Sequence, residues 1–172
     1  LAYLGISETG IRKLRQDLLS CTVENKSKIA QLREYYLQIG QKKRFESIMN
    51  IVRNNAALQE INEALHRRNS NGEINNKGVL RMVEGYFTEL TFLFAELFRV
   101  CKPGAYVAFI NDNVRYAGEV IPVDYLTTNL AEQTGFTPVK IYTLKQQKGN
   151  SSQQMKKYGR IALRKSITIW KK

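Results

Sequence analysis

Lys102-Pro103-Gly104-Ala105-Tyr106-Val107-Ala108-Phe109-Ile110-Asn111-Asp112-Asn113 is the stretch on which the fold turns. Before it, from about Asn75 to Val100, apolar residues recur at helical spacing: Val79, Met82, Val83, Tyr86, Phe87, Leu90, Leu93, Phe94, Leu97 and Phe98. So broad an apolar face predicts a helix packed on a sheet. Lys102-Pro103-Gly104 ends that helix, and Ala105–Ile110 follows as a short, almost continuous apolar run. Such a run predicts a central strand covered on both faces, closed by a polar loop at Asn111-Asp112-Asn113.

Downstream, Pro122 to about Thr134 reads as a helix with Tyr125, Leu126 and Leu130 inward, closed by Gly135. Phe136–Lys145 and Ile161–Trp170 read as two further strands, joined by the glycine-, serine- and lysine-rich stretch Lys148–Gly159. The order helix, strand, helix, strand, loop, strand predicts an α/β fold. The helical crossover implies parallel or mixed pairing of the first two strands, and the last two form an antiparallel hairpin. Three strands make a thin sheet, which looks like the second half of a doubly wound one.

Upstream, Ser7 to about Ser70 reads as helix throughout. Ser7 is the expected N-cap of a first helix with Ile11, Leu14, Leu18 and Leu19 on one face. Ile29, Leu32, Tyr35, Tyr36 and Ile39 supply a second face, ended by Gly40. Phe45, Ile48, Met49, Val52, Leu58, Ile61 and Leu65 supply a third, closing near His66, Arg67 and Arg68. The expected organisation is therefore a helical region over residues 1–72 and an α/β region over residues 73–172.

The chain has 172 residues, 43% hydrophobic and 24% charged, enough apolar content for a real core. Its apolar stretches are too short to cross a bilayer. The opening Leu1-Ala2-Tyr3-Leu4-Gly5 lacks a basic leader, as an excised piece would. Cys21 and Cys101 stand apart, which suits a reducing cytoplasmic compartment. Two scattered cysteines and the single His66 do not make a metal site. The net charge is +12, and its placement is uneven: residues 133–172 carry ten basic residues and no acid, while residues 1–132 carry 17 basic and 15 acidic. That asymmetry points to a polyanion, with nucleic acid first and a membrane surface well behind.

Ala95-Glu96-Leu97-Phe98-Arg99-Val100-Cys101-Lys102-Pro103-Gly104-Ala105-Tyr106-Val107 resembles the "E-x-x-R-V-L-K-P-G-G" segment before the fifth strand of S-adenosylmethionine-dependent methyltransferases. Cys101 replaces the usual Leu and Ala105 the second Gly. The run Gly149–Arg160, followed by Leu163-Arg164-Lys165 and a strand ending Ile169-Trp170-Lys171-Lys172, is similar to the terminal hairpin of DNA methylases acting on an exocyclic amino group of adenine or cytosine. Leu1–Gly5 resembles the residues just after the catalytic Ser/Asp-Pro-Pro-Tyr motif of that group. The resemblance implies the distal half of a Rossmann-like class I methyltransferase sheet, with residues 1–72 inserted as a helical target-recognition element. It also implies S-adenosylmethionine as the parent protein's cofactor, DNA as its substrate and a restriction-modification setting.

Pro103, Pro122 and Pro138 are the only prolines, so Pro-Pro-Tyr is absent, and no glycine-rich loop follows a strand. By itself the chain should not catalyse, because methyl transfer to an amino nitrogen needs the sulfonium, polar acceptors and an aromatic stack together. Its share would be DNA contacts and one wall of the active site. Asn111, Asp112 and Asn113 lie at a strand's carboxyl end, where open α/β sheets place ligands, although Asn and Asp also favour turns. Arg115 could meet a phosphate and Tyr116 a base. In the later loop, Lys156, Lys157 and Arg160 suit phosphates, Asn150, Ser151, Ser152 and Gln153 suit hydrogen bonds, and Tyr158 suits stacking. Lys42-Lys43-Arg44 and Arg67-Arg68 read as solvated helix ends, Tyr35 and Tyr36 as core, and Glu89 and Glu96 as ordinary helix-face residues. An RNA methyltransferase and a non-catalytic nucleic-acid-binding module stay open as alternatives. An exposed sheet edge could also let copies self-associate.

Overall fold

A computed structural model describes residues 5–144, 158–159 and 161–172. In chain order its elements are α1 (Glu8–Asp17), α2 (Ile29–Gln38), α3 (Lys42–Arg53), α4 (Ala56–Ser70), α5 (Gly78–Val100), β1 (Tyr106–Asp112), β2 (Val114–Tyr116), β3 (Glu119–Ile121), α6 (Val123–Gln133), β4 (Thr137–Leu144) and β5 (Lys165–Lys171). Ser7 caps α1 as expected, its hydroxyl accepting from the Gly10 N–H at 3.1 Å. The third apolar face, by contrast, is divided between two helices. Asn54 closes α3, and the next residue, Asn55, caps α4 by accepting from the Leu58 N–H at 3.0 Å. Consecutive asparagines offer the backbone side-chain partners that compete with a continuous helix.

β5 lies in the middle of a three-stranded sheet of order β1-β5-β4 and runs antiparallel to both neighbours. Tyr106 pairs with Lys171 and Asp112 with Lys165 on one side; Thr137 pairs with Lys171 and Leu144 with Lys165 on the other. The expected hairpin therefore forms beside the short apolar strand. The expected direct pairing of the first two strands does not. β1 and β4, linked through α6, run in the same direction with β5 inserted between them. The register slips between Pro138 and Lys140 on the outer strand, where a residue without an N–H is tolerated.

Two further expectations are corrected. Asn111 and Asp112 extend β1, because Ser166 and Lys165 pair with them and strand pairing overrides their turn preference. Val114–Tyr116 and Glu119–Ile121 then form a separate two-stranded ribbon that the sequence pattern missed. Nor is β1 covered on both faces. Val107 and Phe109 turn to the helices, while Tyr106 and Ile110, one face over, are 64% and 60% exposed.

The helices α5 and α6 cover the inner face. Phe94 meets the Trp170 ring edge-on at 4.9 Å and Phe109 at 5.5 Å, and Phe98 meets Phe136 at 5.2 Å. The Trp170 indole N–H donates to Thr128 at 3.3 Å, so the one polar atom of that buried ring is satisfied. The same core continues through Val52, Leu58 and Leu65, which ties α3 and α4 to α5. A second cluster joins Tyr36, Phe45, Ile48, Met49 and Phe92. Tyr36 is buried as expected, but its neighbour Tyr35 is largely exposed. Burial and the Glu96 carboxylate that accepts its proton push the Tyr36 hydroxyl up to about 12.

Candidate nucleic-acid cleft at the carboxyl end of β1

A cleft of about 260 Å³ opens where β1 ends. α5 lines it with Met82, Val83, Tyr86 and Phe87, the end of β1 with Ile110, Asn111 and Asp112, and the ribbon with Val114 and Tyr116. Ile121 and Val123 add to the lining, and Ser20 and Cys21 complete it from the connection between α1 and α2. These walls come from segments far apart in sequence, so tertiary contacts must hold them in place.

Glu89 does this for Ser20. Its carboxylate, on the buried side of α5, accepts from the Ser20 N–H at 3.0 Å, the Ser20 hydroxyl at 2.5 Å and the Lys28 ammonium at 3.0 Å. Lys28 also donates to the Leu18 carbonyl, which fixes both ends of the connection. Gly85 makes the approach possible, since a Cβ there would lie 3.3 Å from the Ser20 Cβ.

The floor is braced by Asp124, which is fully buried at the start of α6. Arg164 donates to its two oxygens at 2.6 and 3.1 Å, Ser166 donates at 2.7 Å and the Tyr125 N–H at 2.9 Å. Burial pushes the carboxyl up, but the Arg164 and Ser166 donors outweigh it and hold it below the usual carboxylate range. Asn113 belongs to the same frame: its N–H donates to the Arg164 carbonyl at 3.0 Å, and its Oδ1 accepts from the Asp124 N–H at 3.2 Å.

Of the sequence-predicted residues, Asn111 lines the cleft together with Asp112, whereas Asn113 supports it from behind. Arg115 and Tyr158 are brought together. The Arg115 guanidinium donates to the Tyr158 carbonyl at 2.6 Å and the Gly159 carbonyl at 3.4 Å and lies 5.9 Å from the Tyr158 ring centre. Tyr158 in turn donates its hydroxyl to Glu73. Asn150, Ser151, Ser152, Gln153, Lys156, Lys157 and Arg160, like the opening residues 1–4, lie outside the described residues. The segment carrying them leaves β4 after Leu144, and Leu144 sits opposite Lys165, which sits opposite Asp112. Leu144 and Lys165, the described strand ends that the connection joins, thus lie at the cleft's edge of the sheet.

Two clusters expected to be solvated helix ends contain cross-links. Arg44 reaches Glu96 at 2.8 Å and the Ala95 carbonyl at 3.0 Å. Arg68 bridges Glu73 at 2.9 Å and Glu119 at 2.7 Å. Glu96 and Glu89 are accordingly more than ordinary helix-face residues. Among the described residues no three His, Cys, Asp or Glu gather as metal ligands, and no helix is long and apolar enough to cross a membrane.

Across all 172 residues the chain is 67% identical to Type II methyltransferase M.BsoBI of Geobacillus stearothermophilus, covering 34% of that protein. It is 43% identical over the same span to Type II methyltransferase M.AvaI of Nostoc sp. (strain PCC 7120), covering 33%. The chain resembles a third of a type II methyltransferase. M.AvaI of Anabaena variabilis matches to the same extent. The methyltransferase likeness carried by the Arg99–Gly104 segment and the C-terminal run is thereby borne out, and the chain spans about a third of the length of the curated relatives it matches. No family model matches the chain, and no solved structure matches it significantly.

Sequence reasoning missed Ser20, Cys21, Tyr86 and Glu89 as parts of this site. Only burial of a charge marked the place: in α5 the one charged residue on the buried face is Glu89, one turn after Gly85, and its partners lie far away in sequence. A carboxylate and a glycine at such positions mark a polar partner and a close approach.

Proposed function

We propose that this chain is part of an S-adenosylmethionine-dependent DNA methyltransferase that modifies an amino group of adenine or cytosine, and that it supplies DNA contacts and one wall of the active site. The observation that carries this reading is the 67% identity, over the whole chain, to a protein named as a type II methyltransferase. The strand order and basic C-terminus support it: the β4–β5 connection, rich in Lys and Arg, leaves from the edge where β1 ends. Open α/β sheets bind ligands at that edge, and Lys156, Lys157 and Arg160, which belong to that connection in sequence, would neutralise phosphates. The parent sheet is Rossmann-like and doubly wound in this reading, with residues 73–172 as its distal half. Residues 1–72 serve as the target-recognition element, and the enzyme works in the cytoplasm beside a restriction nuclease.

The cofactor's site is a separate matter. The described residues include no glycine-rich turn after a strand, the backbone cradle such a cofactor needs. They do not fit it, and in this reading it binds in the rest of the parent protein. What this chain does is hold DNA against the sheet edge and present the cleft walls.

The full-length protein, incubated with methyl-labelled cofactor and either duplex DNA or tRNA, tests this. Label entering DNA is the expected result; label entering tRNA, or neither, overturns it.

A further inference from the structure

Tyr158 lies in the connection between β4 and β5, directly after Lys156 and Lys157 and two residues before Arg160. Three separate parts of the fold hold it. Its hydroxyl donates to the Glu73 carboxylate, in the loop between α4 and α5. Its carbonyl accepts from the Arg115 guanidinium of β2 at 2.6 Å, and that guanidinium lies 5.9 Å from its ring centre. Its ring covers Gly118, in the turn between β2 and β3, so closely that a Cβ there would come within 2.9 Å of it.

The partners are fixed in their turn. Glu73 also accepts from Arg68 at 2.9 Å, and Arg68 reaches Glu119 of β3 at 2.7 Å, so the helical region and the ribbon grip the same point. Arg115 is buried, and its neighbours Val114 and Tyr116 line the cleft. Side chains alternate along a strand, so Arg115 turns to the side of the ribbon away from the cleft and meets Tyr158 there. These contacts commit the ring and the hydroxyl to the fold. A role for Tyr158 toward DNA therefore runs through the basic residues beside it.

Resting on the reading under Proposed function that this connection meets DNA, we infer that Tyr158 is a positioning residue, clasped by Glu73, Arg115 and Gly118 so that the basic connection is fixed at one point before DNA arrives. Association loses affinity to the ordering of loops and side chains at an interface, and a point fixed beforehand reduces that loss. The charge that Lys156, Lys157 and Arg160 bring to the phosphates is the same with or without the clasp.

Fluorescence anisotropy of the full-length protein on duplex DNA over a salt series tests this, with thermal midpoints showing that each variant is folded. Tyr158→Ala should weaken binding about tenfold, the effect of one or two side chains left to order on binding. The slope of log affinity against log salt should not change, because the same cations meet the phosphates. Glu73→Ala is the sharper variant. Removing an acid from a DNA-binding protein tightens binding by simple electrostatics, whereas loosening the clasp weakens it, by about threefold for one hydrogen bond. Tyr158→Phe, which keeps the ring without its hydroxyl, should follow Glu73→Ala, although a tyrosine that stacks on a base would lose little as phenylalanine. Unchanged or tighter binding by Glu73→Ala, or unchanged binding by Tyr158→Ala or Tyr158→Phe, overturns the inference. Should either alanine variant not fold, Tyr158→Phe decides. Wild-type protein that binds no duplex DNA overturns the functional reading and this inference with it; wild-type protein that binds DNA while the variants match it sinks this inference alone.

Discussion

Asp124 and Glu89 are the two carboxylates on which the cleft's shape depends, and each is held by donors from distant sequence. Asp124 titrates below its unfolded value, so its contribution is full above the ordinary carboxylate pKa of about 3.9 and is lost as pH falls through the lower folded value. Asp124→Asn should therefore flatten the acid limb of stability and cost about 2 kcal/mol at neutral pH, since Arg164 is partly exposed and water replaces some of the pair. Urea unfolding between pH 3 and 7 reads both effects, and an unchanged acid limb contradicts this role for Asp124. Glu89→Ala strands the Lys28 ammonium and the Ser20 N–H, at a cost of about 3 kcal/mol in the same measurement. Glu89→Gln should lose less, because an acceptor remains. Neither network was legible from one-dimensional pattern, because Ser20 and Lys28 meet Glu89 across more than 60 residues. The place of Asn111 near the carboxyl end of β1 was legible, because the apolar run before it marks the strand.

Among elements, those with a local signal were read well. Ser7 announced α1, Lys102-Pro103-Gly104 ended the α5 segment, and the β4–β5 hairpin followed from two strand patterns around a polar linker. The β2–β3 ribbon was missed for a physical reason. Its two-residue turn, Ala117-Gly118, has φ of 47° and 87°, both left-handed, as hairpin turns of this length require. Such turns usually begin with Asn, Asp or Gly, so Ala117 concealed it. Gly118 is also where Tyr158 presses closest, since a Cβ there would come within 2.9 Å of the ring. Gly118→Ala should lower stability by about 1–2 kcal/mol and shift the thermal midpoint down by several degrees. A midpoint that does not move means the turn and the packing of Tyr158 on it contribute nothing. The insertion of β5 between β1 and β4 was equally illegible, because β5 wins the centre through the packing of Trp170 on an alternation the pattern does not rank.

At the scale of the whole molecule, charge and shape act together. The excess positive charge is concentrated in residues 133–172, and Lys165, which opens the last strand, pairs with Asp112. Neutralising Lys156, Lys157 and Arg160 in the full-length protein should weaken DNA binding and reduce the slope of log affinity against log salt by about 0.9 for each phosphate no longer neutralised. Fluorescence anisotropy over a salt series measures this, and an unaltered slope removes the loop from the DNA interface. The outer sheet face leaves Tyr106 and Ile110 exposed, and the chain spans about a third of the length of its curated relatives.

Mass spectrometry of nucleosides from the DNA of cells expressing the full-length protein is the most direct measurement. N-methylated adenine or cytosine, present with the protein and missing when its gene is absent, is the predicted result. DNA bases unmodified at their amino groups in both cases would contradict it.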